Sequence, residues 1–444
     1  MPEKIVKRDG RVVPFDPRKI TFAIYQAAIA VGGRDRQNAE EISSRVADTM
    51  ERRYRCREDY PSVEEVQDQV EKELIEAGHA KTAKAYILYR YEHALKRSGR
   101  ETMTYSSDNI PYRKLWEMLL WGVDNECYRL EHIRRYAEKG NFGRLVALSE
   151  DFYRIQVGRV RDFLRTKIED TRLVIVSGPS SSGKTTTTIK ITEEFVKEGK
   201  KFVPINADNY FFDRSTHPED VHGDRDYETP QALDIELLNE HIGMLLNGKA
   251  VEMPCYDFKE GRRFYEGNKI SLGPDDILLI DSLHGFFEPM TESVDPEKKV
   301  KIYIETLAQI KDRNNRFVRW ADIRMLRRMV RDMQFRNSNP EETLLHWHFV
   351  RRSELHYIIS RIKHADMMVN SFLPAELPIL KNRLADFFPG FVETYRNNPE
   401  REDACERAGR ITEMFDELPG GNWEDYVWKD SLIREFIGGS CYDY

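Results

Sequence analysis

No run of apolar residues in this sequence approaches the ~18 that a membrane-spanning helix requires. With 33% of the chain charged, neither a transmembrane helix nor a secretory leader is expected. Cysteine is scarce. The thiols Cys56, Cys127, Cys255, Cys405 and Cys441 are odd in number and far apart, which argues against a disulfide framework or a Cys-x-x-Cys zinc ribbon and points to reduced thiols in the cytoplasm. An excess of one charge is missing as well: 69 basic against 76 acidic residues leave a net charge of -7, so nucleic acid is not expected as the main partner. Internal repeats and low-complexity stretches are also absent. The 444 residues suffice for about three domains and at least one large core.

Against these absences one string stands out. Residues 178 to 185 read Gly178-Pro-Ser-Ser-Ser-Gly183-Lys184-Thr185 and fit the phosphate-cradling pattern G-x-x-x-x-G-K-[ST]. Glycines let backbone N–H groups turn inward around phosphate oxygens, Lys184 would reach the β- and γ-phosphates, and the Thr185 hydroxyl would hold Mg²⁺. Gly178, Ser180, Ser181, Ser182, Gly183, Lys184, Thr185 and Thr186 are therefore the expected ATP-binding residues. The context agrees: Leu173 to Val176 is a short apolar run, a buried strand, and Ile191 with Phe195 falls at helical spacing after the loop. That helix would present its positive dipole end to the phosphates.

The remainder divides into zones. Ile5 to Val13 reads as a hairpin around Asp9-Gly10. Helices follow, starting at Asp16-Pro17 with Ile20, Ile24 and Ala27 on one face, then Glu40 to Met50, Val63 to Ile75 with a Ser62/Glu65 capping box, and Ala80 to Leu95. From about 101 to 168 the composition stays helical, with Trp116, Trp121, Phe152 and Phe163 predicting a packed connector. Between 172 and 371, Leu173 to Val176, Phe202 to Asn206, Ile277 to Ile280, Val300 to Ile304 and Met367 to Asn370 are strands alternating with helices. This is the pattern of an α/β fold: a parallel sheet with helices on both faces. Ligands of such sheets bind beyond the carboxyl ends of the strands. The domains predicted are 1–98, a mainly helical unit with a small hairpin; 99–168, the connector; 169–385, the phosphate-loop domain; and 386–444, a helical extension.

Asp208 directly follows the second strand, where a carboxylate either takes a proton from an attacking hydroxyl and assists Mg²⁺ or caps the next helix. Asp281 ends the third, as a metal-completing acid or as a turn residue. Helix 322 to 336 puts Arg324, Arg328 and Arg331 on one face, either as a lid over a triphosphate or as a solvated basic face. On the acceptor side, Asp226-Tyr-Glu228 and Pro254-Cys-Tyr256-Asp-Phe258 mix carboxylates, which bind hydroxyls, with rings that either stack on a ligand or pack the core. His217 and His284 read as structural histidines.

With these residues in place, residues 170 to 380 resemble the uridine kinase and phosphoribulokinase branch of phosphate-loop kinases. The resemblance rests on Gly178 to Thr185, Asp208-Asn-Tyr-Phe, Tyr227-Glu-Thr-Pro with Asp234, Pro254-x-Tyr-Asp-Phe258, Asp281, and Arg327-Arg-Met-Val-Arg-Asp332 with Arg336. It implies Asp208 as catalytic base, Thr185, Asp208 and Asp281 as Mg²⁺ residues, and Arg331 and Arg336 closing on ATP beside Lys184. It also implies Asp226, Glu228, Tyr256, Phe258, Arg263 and Arg328 at the acceptor. The segments Lys259 to Arg263 and Arg434 to Ser440 are similar to bacterial members with an extra N-terminal domain. The chain departs from uridine kinases at Glu228, Gly261, Asp281-Ser282 and Ser338. Such changes redirect specificity, so the acceptor implied is a nucleoside or similar small polyol.

Residues 3 to 95 resemble the ATP-cone, a nucleotide-sensing domain, through Val6-Lys-Arg-Asp-Gly10, Phe15-Asp-Pro-Arg-Lys19-Ile20 and Ala85-Tyr-Ile-Leu-Tyr-Arg90. That resemblance implies an allosteric site for ATP or dATP at Val6, Lys7, Arg8 and Lys19. The expectation is an ATP- and Mg²⁺-dependent kinase, a homo-oligomer regulated at the cone. The competing expectation is a regulator whose kinase-like domain binds ATP and signals to a protein partner.

Overall fold

The computed structural model describes residues 2–7, 11–55, 60–79, 81–86, 109–217, 227–257, 260–398 and 401–443. The chain forms two units, one of Met1–Thr104, Phe211–Asp234 and Tyr256–Arg263, the other of Tyr105–Tyr210, Ile235–Cys255 and Phe264–Tyr444.

In the first unit, strands β1 (Lys4–Val6) and β2 (Val12–Pro14) pair antiparallel with Ile5 opposite Val13; the Asp9-Gly10 turn lies outside the described residues. Helix α1 (Pro17–Ile29) is capped by Asp16 and buries Ile20, Ile24 and Ala27, the face set by i, i+4 spacing. Helix α2 (Arg36–Tyr54) begins four residues before the predicted Glu40 because Asp35 caps it, its carboxylate accepting from Asn38 N–H at 3.0 Å. Helix α3 (Val63–Glu76) carries the expected capping box: Ser62 Oγ accepts from Glu65 N–H at 3.2 Å and Glu65 accepts from Ser62 N–H at 2.9 Å. Ile24, Ile42, Val46, Met50, Val70 and Leu74 form the core. Of the helix predicted over Ala80 to Leu95, residues 81–86 are helical and the rest lies outside the described residues.

The second unit opens with helices α4 (Tyr112–Asp124), α5 (Leu130–Glu138) and α6 (Phe142–Lys167). Trp121 packs on Phe152 with ring centroids 4.9 Å apart, but Trp116, predicted as packing, is 60% exposed. Strand β3 (Leu173–Ser177), helix α7 (Lys184–Lys197) and strand β4 (Phe202–Asn206) follow, then helix α8 (Ile235–Leu246). Strands β5 (Val251–Asp257) and β6 (Arg262–Ile270) make a separate two-stranded sheet that the sequence reading did not anticipate. Next come β7 (Ile277–Ser282), β8 (Lys299–Glu305), helices α9 (Trp320–Arg336) and α10 (Pro340–Ser353), and β9 (Met367–Asn370). Helices α11 (Glu376–Leu384), α12 (Phe388–Tyr395), α13 (Glu402–Glu417) and the short α14 (Arg434–Ile437) close the chain.

All five predicted strands form one parallel sheet in the order β4-β7-β3-β8-β9. The fold is α/β, with helices on both faces of this sheet. β3 is buried along its whole length, as a central parallel strand must be. Register fixes the site: Asp281 lies beside Val176 on one side and Asn206 on the other, so the ends of β3, β7 and β4 come together just where the phosphate loop and Asp208 begin.

Candidate active site

The loop between β3 and α7 has the backbone that its sequence demands. Gly183 has φ +84°, left-handed and open to glycine, and a Cβ on Gly178 would stand 2.1 Å from the Ile304 carbonyl oxygen. Ser181 also adopts a left-handed φ of +57°, a conformation that costs a non-glycine residue energy and needs outside support. That support comes from behind. Arg324 donates to Ser180 O (3.2 Å), Arg327 to Ser181 O (3.4 Å), and Ser371 Oγ to Ser182 O (2.5 Å). With these carbonyls engaged on the outer side, the loop is held in the form an anion cradle needs.

Arg324 and Arg327 are buried. Arg324 pairs with Glu305 at 2.8 Å and with Glu354, while Arg327 makes a two-point pair with Glu376, Nε to Oε2 at 2.6 Å and Nη2 to Oε1 at 2.9 Å. The reading of Arg324 as part of a lid face is thereby corrected: its guanidinium points into the protein and braces the loop. The other face of α9 keeps Arg328, Arg331 and Arg336 around the buried Asp332, at 3.4, 2.9 and 3.6 Å. Burial pushes the Asp332 carboxyl up, and the three arginines together pull it below the usual carboxylate range.

On the loop's inner side, Lys184 Nζ donates to Pro179 O at 3.3 Å, and Thr185 Oγ1 stands 3.4 Å from Asp281 Oδ2. Asp281 is pushed up to about 6, first by burial and then by the charges of Glu435 and Asp208, against the pull of Lys184. Asp208 is therefore close enough to Asp281 to act on it electrostatically. It sits in a 3₁₀ turn, Ala207–Tyr210, whose geometry is set by Asn206 Oδ1 accepting the Asp208 N–H at 2.9 Å. Thr186 donates both its N–H (3.0 Å) and its hydroxyl (2.7 Å) to Glu435.

Among the described residues no group of three His, Cys, Asp or Glu side chains forms a metal cage. A hydroxyl and two carboxylates suit Mg²⁺, which keeps several waters and shares phosphate oxygens, better than they suit zinc.

Of the expected acceptor residues, Glu228, Tyr256 and Arg263 belong to the first unit and Arg328, on α9, to the second. Glu228 is buried; Tyr256 packs on Phe211 at 5.6 Å; Arg263 donates to Asp234 at 2.9 Å. His217 binds the Phe212 carbonyl at 3.2 Å, a structural role. At the cone, Lys7 N–H donates to Arg11 O at 2.8 Å, Val6 N–H to Pro61 O at 2.9 Å, and Lys19 lies exposed in the first turn of α1. Arg8, Asp226 and Phe258 lie outside the described residues.

Comparison with known proteins bears on these parts. The phosphoribulokinase/uridine kinase family profile matches residues 173–376, and the ATP cone domain profile residues 3–95. A uridine kinase of Deinococcus deserti is 29% identical over 195 residues, covering 44% of this chain and 84% of that protein. A uridine kinase of Staphylococcus epidermidis is 30% identical over 203 residues, 46% of this chain and 88% of that protein. The chain belongs to the phosphoribulokinase and uridine kinase family. This kinase is a phosphotransferase with an alcohol group as acceptor, and family membership implies that it uses ATP.

Two features of the kinase's site escaped the sequence reading. The partners of Arg324 and Arg327 are single glutamates 19 to 49 positions away, with no local pattern to mark them. Glu435 comes from a tail read only as a family resemblance, and the one available signal was its apolar Leu-Ile and Phe-Ile pairs in an otherwise acidic region.

Proposed function

We propose that this protein is a cytoplasmic, ATP- and Mg²⁺-dependent kinase that phosphorylates a hydroxyl of a nucleoside or similar small polyol, acting as a homo-oligomer regulated by ATP or dATP at its cone. The observation that carries this reading is the meeting of phosphate loop, Asp281 and Asp208 at adjoining strand ends. Loop N–H groups and Lys184 bind and orient the triphosphate. Thr185 and Asp281, with Asp208, would hold Mg²⁺, which supplies charge neutralisation at the phosphates. Asp208 takes the proton of the acceptor hydroxyl as its oxygen bonds to the γ-phosphorus and the bond to the β-phosphate oxygen breaks, releasing ADP. Arg331 and Arg336 stabilise charge on the transferred group. The acceptor-binding role falls to Asp226, Glu228, Tyr256, Phe258, Arg263 and Arg328, as the family resemblance implies.

The test is a screen of nucleosides, pentose phosphates and inositols for acceptor-dependent ATP consumption. One acceptor should give turnover that Lys184→Ala abolishes. No turnover with any acceptor, or equal turnover in Lys184→Ala, would remove the enzymatic reading and leave the nucleotide-responsive regulator.

Regulation through the cone has its own support in the first unit. Tyr25 Oη donates to Thr216 O at 2.6 Å; the Arg34 guanidinium lies 3.4 Å over the Phe212 ring and donates to Gln231 O. The Gln231 contact lies between Glu228 and Asp234 in sequence, so a ligand that shifts this part of the first unit bears on residues of the acceptor side. A coupling of about 1–3 kcal/mol is typical of allosteric proteins. In Arg34→Ala, dATP should still bind while its effect on the acceptor KM disappears. A full dATP effect in that variant would refute this route.

A further inference from the structure

The most unusual contact at the phosphate loop is made by the chain's own carboxylate. Thr186 lies in the first turn of α7, where the phosphate-loop pattern turns N–H groups toward phosphate oxygens. Its N–H and hydroxyl converge on one oxygen of Glu435, at 3.0 and 2.7 Å. Two donors on a single carboxylate oxygen at a helix N-terminus is the arrangement that an anion adopts there.

The backbone that delivers Glu435 is fixed. Leu432, Ile433, Phe436 and Ile437 are buried in the main core. Leu432 fits so closely on Gly183 that a Cβ there would come within 2.6 Å of Leu432 Cδ1. Arg434 ties the tail to the carbonyls of Glu424 (3.0 Å) and Val427 (2.8 Å), and Lys190 of α7 pairs with Asp430 at 2.8 Å. Displacing the whole tail would expose these apolar side chains, whereas rotating one glutamate side chain exposes none of them. Glu435 also adds negative charge beside Asp281, where a triphosphate brings more.

We infer that Glu435 is a gate on nucleotide affinity: its carboxylate competes with a phosphate group for the two donors of Thr186 and must rotate off them for a nucleoside di- or triphosphate to seat. The tail is thus a determinant of phosphate binding that no part of the phosphate-loop pattern encodes. This rests on the reading of residues 178 to 186 as the nucleotide site.

The test is calorimetric titration of the full chain with MgATP, MgADP and inorganic tripolyphosphate, in wild type, Glu435→Ala, Glu435→Gln and Lys184→Ala. Loss of a charged competitor held by two hydrogen bonds should tighten binding of all three ligands about tenfold or more in Glu435→Ala. Glu435→Gln keeps an acceptor oxygen but drops the charge, and should shift affinity in the same direction by less. The KM for ATP should fall in parallel. Wild-type or weaker affinity in folded Glu435→Ala, or in Glu435→Gln should the alanine variant fail to fold, overturns the gate and makes Glu435 a support of the loop. If wild type binds MgATP and Lys184→Ala does not, the nucleotide site stands whatever Glu435 does. A wild type that binds no MgATP removes the site and the gate together.

Discussion

Asp208→Asn is expected to lower kcat by about 10²- to 10⁴-fold, the usual contribution of a positioned general base, while MgATP affinity falls far less, because Thr185 and Asp281 still hold Mg²⁺ and the loop still holds the phosphates. The separation follows from how the residue is held. Its turn is anchored on one side by the Asn206 side chain and on the other by the buried Tyr210, whose hydroxyl lies 2.9 Å from His241 Nδ1. Asparagine fills the same space in that turn, so the loop, Lys184 and Thr185 keep their places. What is lost is an oxygen able to take a proton and one negative charge beside Asp281. Binding of the triphosphate depends on loop amides and Lys184, and transfer depends on a hydroxyl being deprotonated as it attacks. The variant should therefore bind nucleotide and fail to turn it over. Single-turnover kinetics with the acceptor from the screen, beside an ATP titration, would measure both. A variant retaining more than about a third of the wild-type kcat would leave Asp208 as a turn residue, since even the low end of general-base catalysis is far larger.

What the sequence disclosed and what it concealed follows the range of the interactions. β3 and β7 were legible because each opens on a continuous apolar run, the form taken by parallel strands buried on both faces, and β4, β8 and β9 because they are short, mainly apolar segments between helices. The loop was legible because its chemistry is local: glycines, lysine and threonine must be contiguous to wrap a phosphate. Asp208 and Asp281 could be found because they directly follow strands. The β5–β6 hairpin was missed because β6, Arg262–Ile270, is largely exposed and its polar residues carry no strong alternation. In α9 the i, i+3, i+4 spacing showed that arginines shared a face but could not say which faced water. Arg324 and Arg327 turn inward only because Glu305, Glu354 and Glu376, from three other elements, wait for them. Trp116 failed in the opposite sense: an aromatic in a helical segment suggested packing, and this helix presents that position to solvent.

Those buried arginines lead to the second large effect. Glu376→Ala is expected to destabilise the kinase unit by about 3–5 kcal/mol, the cost of leaving a buried charge without its partner. Both Arg327 and Glu376 are fully buried, and Glu376 Oε1 also accepts the Leu373 N–H at 3.1 Å. Arg327 keeps the Ser371 carbonyl at 2.8 Å and Ser181 O at 3.4 Å, which do not neutralise it. Replacing both partners removes the charge and its counter-charge together, and well-packed apolar pairs often match or exceed a buried ion pair. Arg327→Met with Glu376→Met should thus recover most of the lost stability in urea unfolding. Nucleotide affinity should fall in the double variant all the same, because only there does Ser181 lose the donor that braces its left-handed backbone. Stability and MgATP binding would then part company in the double variant. Wild-type MgATP affinity in a stable double variant would show that the loop stands without Arg327.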